Sequence, residues 1–203
     1  IMDYSDTTSE DLDRFDLGPT WFWPHQQHVK SLINELEIKS FDQYSQGDYV
    51  FQQGHNTPIT RGRDQQPMLS YRIQGGMGAI ITSLQNALPN DKILLSTPAK
   101  QVIRSNNSWT VQLSDGESIS CSHLWLAIPP RKIPSLFITG DECPLSEELM
   151  THLGSQQTWM SAQAKFIAVY DKPFWRDNGL SGQGFSRVGP MVEINDASGA
   201  NDD

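Results

Sequence analysis

Cysteine and basic charge are both scarce in this sequence. The 203 residues include two cysteines, Cys121 and Cys143, which form no CxxC pair and have no histidine cluster near them. This spacing predicts no metal site and fits a reducing compartment, with a single disulfide as the alternative. The chain has 15 Lys and Arg against 24 Asp and Glu, giving a net charge of −9. Without a basic stripe we expect no nucleic-acid partner and no anionic membrane partner.

Long hydrophobic runs are also missing. No stretch approaches the ~18 apolar residues that a membrane-spanning helix needs. The first residues, 1–13, are acidic and polar, unlike a signal peptide, which begins basic and turns apolar. The sequence therefore predicts a cytoplasmic protein with no membrane span.

One lysine stands inside an apolar segment near the end of the chain. Residues 164–170 read AKFIAVY, and alternation predicts a strand with Lys165, Ile167 and Val169 on one face. A buried ammonium group is costly unless it has a partner. Lys165 is therefore either a lysine that reaches solvent from a sheet edge or one that is held for chemistry.

Apolar periodicity predicts three helices. Val29, Leu32, Ile33 and Leu36 follow helical spacing, and Pro24 suits the first turn of that helix. A second helix is expected to open over 72–77, and a third to cover 144–152. The buried stripe of the second helix would consist of Ile80, Ile81, Leu84 and Leu88.

Several strands are expected in addition to the Lys165 segment. Asp115-Gly116 is a hairpin signal that leads into a strand over 118–121. The apolar run 124–128 is typical of a strand buried on both faces, and Pro129-Pro130 ends it. The other predicted strands cover 12–17, 93–95, 100–104, 109–113, 184–187 and 191–194. The expected fold class is therefore α+β, with mixed or antiparallel sheet flanked by helices.

Four segments, taken in order, carry a family resemblance. They are 15–24 (FDLGPTWFWP), 72–77 (RIQGGM), the strand regions 93–102 and 124–130 ending in AIPP, and the Lys165 segment continued by PFWR and GLSG. Together they resemble the flavin-containing amine oxidases, the monoamine oxidase-like superfamily. The resemblance is greatest to a bacterial branch with a short substrate domain.

Two parts of that family's pattern have no counterpart in the sequence. The GxGxxG turn that holds the FAD pyrophosphate at a helix N-terminus is missing, and 182–187 (GQGFSR) is only a near match. The closing flavin segment with its aromatic residues is missing as well. We therefore expect an internal fragment that, by itself, binds FAD poorly and is inactive.

The resemblance implies a set of roles. Lys165 would be the catalytic lysine that reaches the flavin through a water molecule and helps O2 accept electrons. The implied FAD-binding residues are Gly18, Pro19, Thr20, Trp21, Gly75, Gly76, Met77 and Ala99, and the implied substrate-cavity residues are Phe22 and Trp23. For these residues the alternative is ordinary structure: tight turns at the glycines and core packing at the aromatic residues.

The resemblance also implies an organisation and an activity. Residues 1–36 and 72–133 would belong to the FAD-binding domain, and 37–71 and 134–203 to the substrate domain. The intact protein would oxidise an amine to an imine or aldehyde, with O2 giving hydrogen peroxide. The alternatives are a related desaturase, a protoporphyrinogen oxidase-like enzyme, or a non-catalytic binding module derived from the fold. The sequence specifies neither the amine nor an oligomeric state.

Overall fold

The computed structural model describes residues 15–66, 68–138, 143–158 and 160–200. The helices are α1 (Gln27–Glu35), α2 (Gly78–Asn86), α3 (Glu147–Ser155) and α4 (Phe174–Asp177). The strands are β1 (Ser40–Asp42), β2 (Asp48–Gln52), β3 (Thr60–Gly62), β4 (Tyr71–Ile73), β5 (Ala99–Ser105), β6 (Ser108–Leu113), β7 (Ser118–Cys121), β8 (Leu180–Ser186) and β9 (Glu193–Ile194). The predicted mixture of helix and sheet is confirmed.

The chain divides into two compact units. The first unit comprises the described residues up to Leu88 together with those from Lys165 onward, and the second is Pro89–Ala164. The second unit is therefore an insertion in the sequence of the first. The four-segment division proposed from the sequence stays a prediction.

The described residues of the first unit form two sheets. Strands β1 and β4 form an antiparallel pair in which Phe41 lies opposite Arg72. The other sheet has the order β3-β2-β8-β9, in which β2 and β8 are parallel and the outer pairs are antiparallel. A core cluster of Phe22, Ile33 and Ile73 holds α1 against β4. Residues packed against this cluster are Val29, Ile38, Tyr71, Met77, Ala79 and Ile80.

The second unit is built on the antiparallel meander β5-β6-β7. Asn106 adopts a left-handed conformation (φ 51°) in the turn between β5 and β6. Gly116 does so (φ 92°) in the turn before β7, as the Asp-Gly signal predicts. Buried Val102, Leu113 and Phe137 form its interior.

Three predicted strands are wrong. Residues 164–170 and 124–128 form no strand with any described part of the chain, and Phe166 and Trp125 are 83% and 92% exposed. Residues 93–95 are likewise not a strand. Alternation and apolar runs show that a segment suits a sheet, but a strand also needs a neighbour that pairs with its backbone. Of the strand predicted over 12–17, residues 12–14 lie outside the described part of the chain. Residues 15–17 are described and form no strand.

The expected second helix is also corrected. It was predicted to open over 72–77, yet Tyr71–Ile73 is strand β4 and α2 begins at Gly78. Gly75 and Gly76 separate strand from helix with φ values of 79° and 70°, which glycine adopts at low cost. Of the predicted buried stripe, Ile80 packs on the core cluster. Ile81 and Leu84 are exposed, because no described element covers that face of the helix, and Leu88 is exposed beyond the end of α2.

Candidate functional site

The Lys165 ammonium group is bound by the turn around Gly18. Its Nζ donates to the backbone oxygen of Asp16 at 2.8 Å, to that of Gly18 at 2.6 Å and to the hydroxyl oxygen of Thr20 at 2.6 Å. An ammonium group has three hydrogens, so these three oxygens use all of them. The turn therefore forms a cradle for one cation, which we call the Lys165 cradle (Asp16, Gly18 and Thr20).

Asp16 connects this cradle to the start of α2. While its backbone oxygen accepts from Lys165, its carboxylate Oδ1 accepts from the backbone N–H of Met77 at 2.8 Å. The left-handed turn at Gly75 and Gly76 brings that N–H to the helix entry. One residue thus fixes both the lysine and the loop that surrounds it.

The charges around the cradle influence one another. Burial raises the pKa of Asp16, although the Met77 N–H and the positive charges of Arg72 and Lys165 act in the opposite direction. Burial lowers the pKa of Lys165, the charge of Asp16 raises it, and the charge of Arg72 lowers it further. The Lys165 side chain keeps much of its surface in solvent, so the loss of water is confined to the part that meets the turn.

Arg72 is a buried cation beside this cradle. It is 6% exposed, and its Nη1 donates to the backbone oxygen of Ser198. Its Nε has no hydrogen-bond partner among the described residues. Burial lowers the pKa of Arg72, while the charges of Asp16 and Asp196 raise it. The guanidinium group also lies 5.5 Å from the centre of the Phe41 ring.

Asp196 organises the far side of Arg72. Its Oδ2 accepts from Trp175 Nε1 and Arg176 Nε, each at 2.8 Å, and its Oδ1 accepts from Ser198 N at 2.7 Å. Burial acts to raise the pKa of Asp196, but these hydrogen bonds outweigh it and the pKa is lowered. Gly182 is required here, because a Cβ at that position would lie 2.6 Å from the Asp196 Cβ.

Ser198 joins the two halves of this arrangement. Its N–H is bound by Asp196 and its backbone oxygen by Arg72, whose charge acts in turn on Asp16 and Lys165. Hydrogen bonds therefore lead from the buried carboxylate of Asp196 to Arg72, and the charge of Arg72 extends the influence of this group to the Lys165 cradle.

The predicted flavin-binding residues around Gly18 lie on an accessible surface. Gly18 and Pro19 are exposed, and Thr20 and Trp21 are half-buried. A Cβ placed on Gly18 would meet no atom within 4 Å, so the backbone there is open to an approaching group. Ala99, another predicted flavin contact, is exposed at the start of β5 in the second unit.

The two predicted substrate-cavity residues differ in burial. Phe22 is 4% exposed in the core cluster, where its ring lies 5.4 Å from that of Tyr71. Trp23 is half-buried and stacks on His25 at 6.0 Å. The contacts of Phe22 are those of a core residue, and a role in binding substrate stays a prediction for both.

Two cavities lie apart from the Lys165 cradle. One, of about 80 Å³ in the first unit, is lined by Phe22, Lys30, Ile33, Asn34, Ser40 and Tyr71. The other, of about 270 Å³ in the second unit, is lined by Val102, Ile103, Arg104, Ile138 and Pro144. The cradle is an open surface feature that neither cavity includes.

Asp16, Arg72 and Asp196 were not among the predicted site residues. Asp16 and Arg72 lie within the segments that carry the family resemblance, directly before the Gly18 turn and the Gly75 turn. That position was the available signal. The sequence offered no such signal for Asp196, since its partners Trp175 and Arg176 lie in a different element.

Comparison with known proteins supplies the family. Residues 59–203 match the family described as "Flavin containing amine oxidoreductase". The chain belongs to this family. Because its members are flavin-containing oxidoreductases, the family itself implies a flavin cofactor. Within the described residues, no helix is long and apolar enough to cross a membrane.

Two relatives in sequence are amine oxidases. The chain is 28% identical over 131 residues to a probable flavin-containing monoamine oxidase A from Dictyostelium discoideum, covering 64% of this chain and 28% of that protein. It is 27% identical over 143 residues to a putrescine oxidase from Kocuria rosea, covering 66% of this chain and 29% of that one. The chain thus spans under a third of the length of either relative.

Solved structures show the same fold. Putrescine oxidase bound to putrescine matches with a TM-score of 0.77 at 18% identity, covering 94% of this chain and 64% of that one. Cyclohexylamine oxidase from Brevibacterium oxydans IH-35A matches with a TM-score of 0.68 at 12% identity, covering 89% and 62%. The chain therefore corresponds to part of the amine oxidase fold.

Proposed function

We propose that the protein carrying this chain is an FAD-dependent oxidase of a primary or secondary amine. The single observation that supports this beyond family membership is the Lys165 ammonium group held on the open Gly18 turn. The named relatives are amine oxidases, which favours this activity over a desaturase or a non-catalytic module. A cytoplasmic location remains part of the proposal.

The Gly18 turn fits a flavin on physical grounds. A flat ring needs backbone that it can approach closely, and position 18 offers that because no atom lies within 4 Å of a Cβ built there. Gly18, Pro19, Thr20 and Trp21 would hold the ring edge, with Gly75, Gly76 and Met77 behind them through Asp16. When bound, the flavin would supply the redox chemistry, namely transfer of a hydride equivalent from the carbon beside the amine nitrogen and of the electrons onward to O2, with hydrogen peroxide as the product.

The contribution of Lys165 would be electrostatic. A fixed positive charge stabilises negative charge that develops on O2 as it accepts electrons. Since the cradle uses all three ammonium hydrogens, a water bound to Nζ would have to replace one of the three oxygens. Thr20 offers the replaceable contact, because its hydroxyl belongs to a side chain whereas the other two oxygens belong to the backbone.

The test is Lys165→Met in the flavin-loaded native protein. We expect reoxidation of the flavin by O2 to slow by about 100-fold, the effect typical of losing one preorganised electrostatic group. Reduction of the flavin by amine should change much less. Stopped-flow absorbance measures the two half-reactions separately.

Lys172→Met is the matched control. Lys172 lies in the same segment, is exposed and pairs only with the surface carboxylate of Asp177 at 3.3 Å among the described contacts. The Lys172→Met substitution should leave the rates of both half-reactions unchanged. A Lys165→Met protein that reoxidises at the normal rate would refute the role of Lys165.

A further inference from the structure

Asp16 attaches the N-terminal side of the Lys165 cradle to the rest of the first unit. The described hydrogen bonds of residues 16–20 to other elements are those with Lys165 and the one from Met77 N–H to Asp16 Oδ1. The remaining one, from the Thr20 hydroxyl to the Gly18 oxygen at 3.3 Å, is local. The loop continues into Phe22, whose backbone pairs with that of Tyr71 at 2.8 to 2.9 Å. The carboxylate of Asp16 is therefore the tie that orients the N-terminal side of the loop independently of the lysine.

This tie has a defined geometry. Met77 N–H is at the entry to α2, held in place by the two left-handed glycines before it. The donor is thus rigid, and an acceptor at 2.8 Å fixes the Asp16 backbone relative to α2. Since that same backbone supplies one oxygen to Lys165, moving the carboxylate moves the cradle.

Two positive charges, those of Arg72 and Lys165, act on Asp16. Arg72 lies in β4 and Lys165 in the segment before α4, and the positive charges of both act to lower the pKa of Asp16, which burial raises. The negative charge of Asp196 in turn acts to raise the pKa of Arg72, which burial lowers. Arg72 makes its described hydrogen bond to Ser198 and not to Asp16. The Asp16 carboxylate is therefore free to serve Met77 and is not occupied by the neighbouring guanidinium group.

We propose that Asp16 is a positioning residue, which sets the place of the Lys165 ammonium group by binding the start of α2 with its carboxylate. The proposal rests on the proposed function of Lys165. It assigns Asp16 no contact with substrate or flavin.

Two substitutions separate geometry from charge. Asp16→Asn keeps an oxygen acceptor for Met77 N–H and removes the charge. Asp16→Glu keeps the charge and moves the acceptor by one methylene group. The exposed Asp177→Asn is the control, since Asp177 lies in α4 and pairs with Lys172 at the surface.

Three measurements are made on the native protein and each variant. Amide hydrogen exchange at Met77 reports the tie itself. NMR titration of lysine labelled at Cε, assigned with Lys165→Met, reports the environment of the ammonium group. Stopped-flow reoxidation reports its effect on O2.

The expected pattern distinguishes the two variants. Asp16→Glu should lose protection at Met77 and slow reoxidation by about 10- to 100-fold, since a displacement of ~1 Å can cost about 100-fold. Asp16→Asn should keep that protection and the reoxidation rate at low pH. Its Lys165 should titrate at lower pH, because the carboxylate charge that raises the pKa is gone.

Three results would overturn the proposal. One is an Asp16→Glu protein with normal Met77 protection and normal reoxidation. Another is an Asp16→Asn protein as slow as Asp16→Glu, and the third is lower thermal stability in both variants with Lys165 titrating unchanged. Failure of the proposed function looks different: Lys165→Met would reoxidise normally while the Met77 and Lys165 signals still responded to Asp16.

Discussion

Replacing Asp196 with Ala tests whether its buried carboxylate holds the first unit together. Asp196 is 4% exposed, and its two oxygens accept from Trp175, Arg176 and Ser198 at 2.7 to 2.8 Å. The Arg176 side chain is itself only 12% exposed. Removing one partner of a buried charged pair costs about 3 to 5 kcal/mol, and here the same change also takes the acceptor from the Trp175 and Ser198 donors.

The free energy of unfolding should therefore fall by that amount. For a chain of this length, 1 kcal/mol corresponds to about 2–4 °C in Tm, so the expected loss is roughly 6 to 20 °C. Urea unfolding followed by circular dichroism gives the first quantity, and a thermal scan gives the second. Asp177→Ala is the control, since it removes an exposed pair that contributes at most about 1 kcal/mol. A loss below about 1 kcal/mol for Asp196→Ala would show that the carboxylate is not a structural anchor.

Two further predictions concern the cofactor surface and pH. Gly18→Ala should change the free energy of unfolding by no more than about 0.5 kcal/mol, since the new Cβ meets no atom within 4 Å. The same substitution should weaken flavin binding, which fluorescence titration measures. Equal affinity would mean that the flavin ring does not approach this turn. The stability that Asp196 contributes is present above its ordinary pKa of 3.8 and is lost as pH falls through the lower pKa of the folded state. The difference in the free energy of unfolding between the native protein and Asp196→Asn should therefore persist at neutral pH and shrink below pH 3.8. Urea unfolding measured across this range tests this, and a difference that grew on acidification would contradict it.

Local signals predicted local structure well. The Asp-Gly hairpin, the amphipathic helix at Gln27–Glu35 and the helix at Glu147–Ser155 all depend on residues close together in sequence. Ser146 caps α3 by accepting from Leu149 N at 3.2 Å, and two glutamates fill the first turn. Such contacts can be inferred from spacing alone.

Contacts between distant segments were harder to predict. The strand at 164–170 was inferred from alternation, which says nothing about a pairing partner. The prediction that the face of α2 with Ile81 and Leu84 is buried was wrong for the same reason, since amphipathicity does not specify which element covers an apolar face.

The candidate site was partly accessible to sequence reasoning. Lys165 and the Gly18 turn were both named through the family resemblance, and the structure places them within hydrogen-bonding distance. The tie from Asp16 to Met77 was not foreseen, because an Asp in a loop is usually solvated and its partner is a backbone group with no sequence signature.

The parallel pairing of β2 with β8 has a consequence for synthesis on the ribosome. Gln52 ends β2, yet its partner strand begins at Leu180, after the whole second unit has been translated. At about 5–20 residues per second, the finished edge of β2 waits on the order of ten seconds for that partner. During this interval the nascent chain exposes an unpaired strand edge, and molecular chaperones that shield such edges should associate with it at this stage.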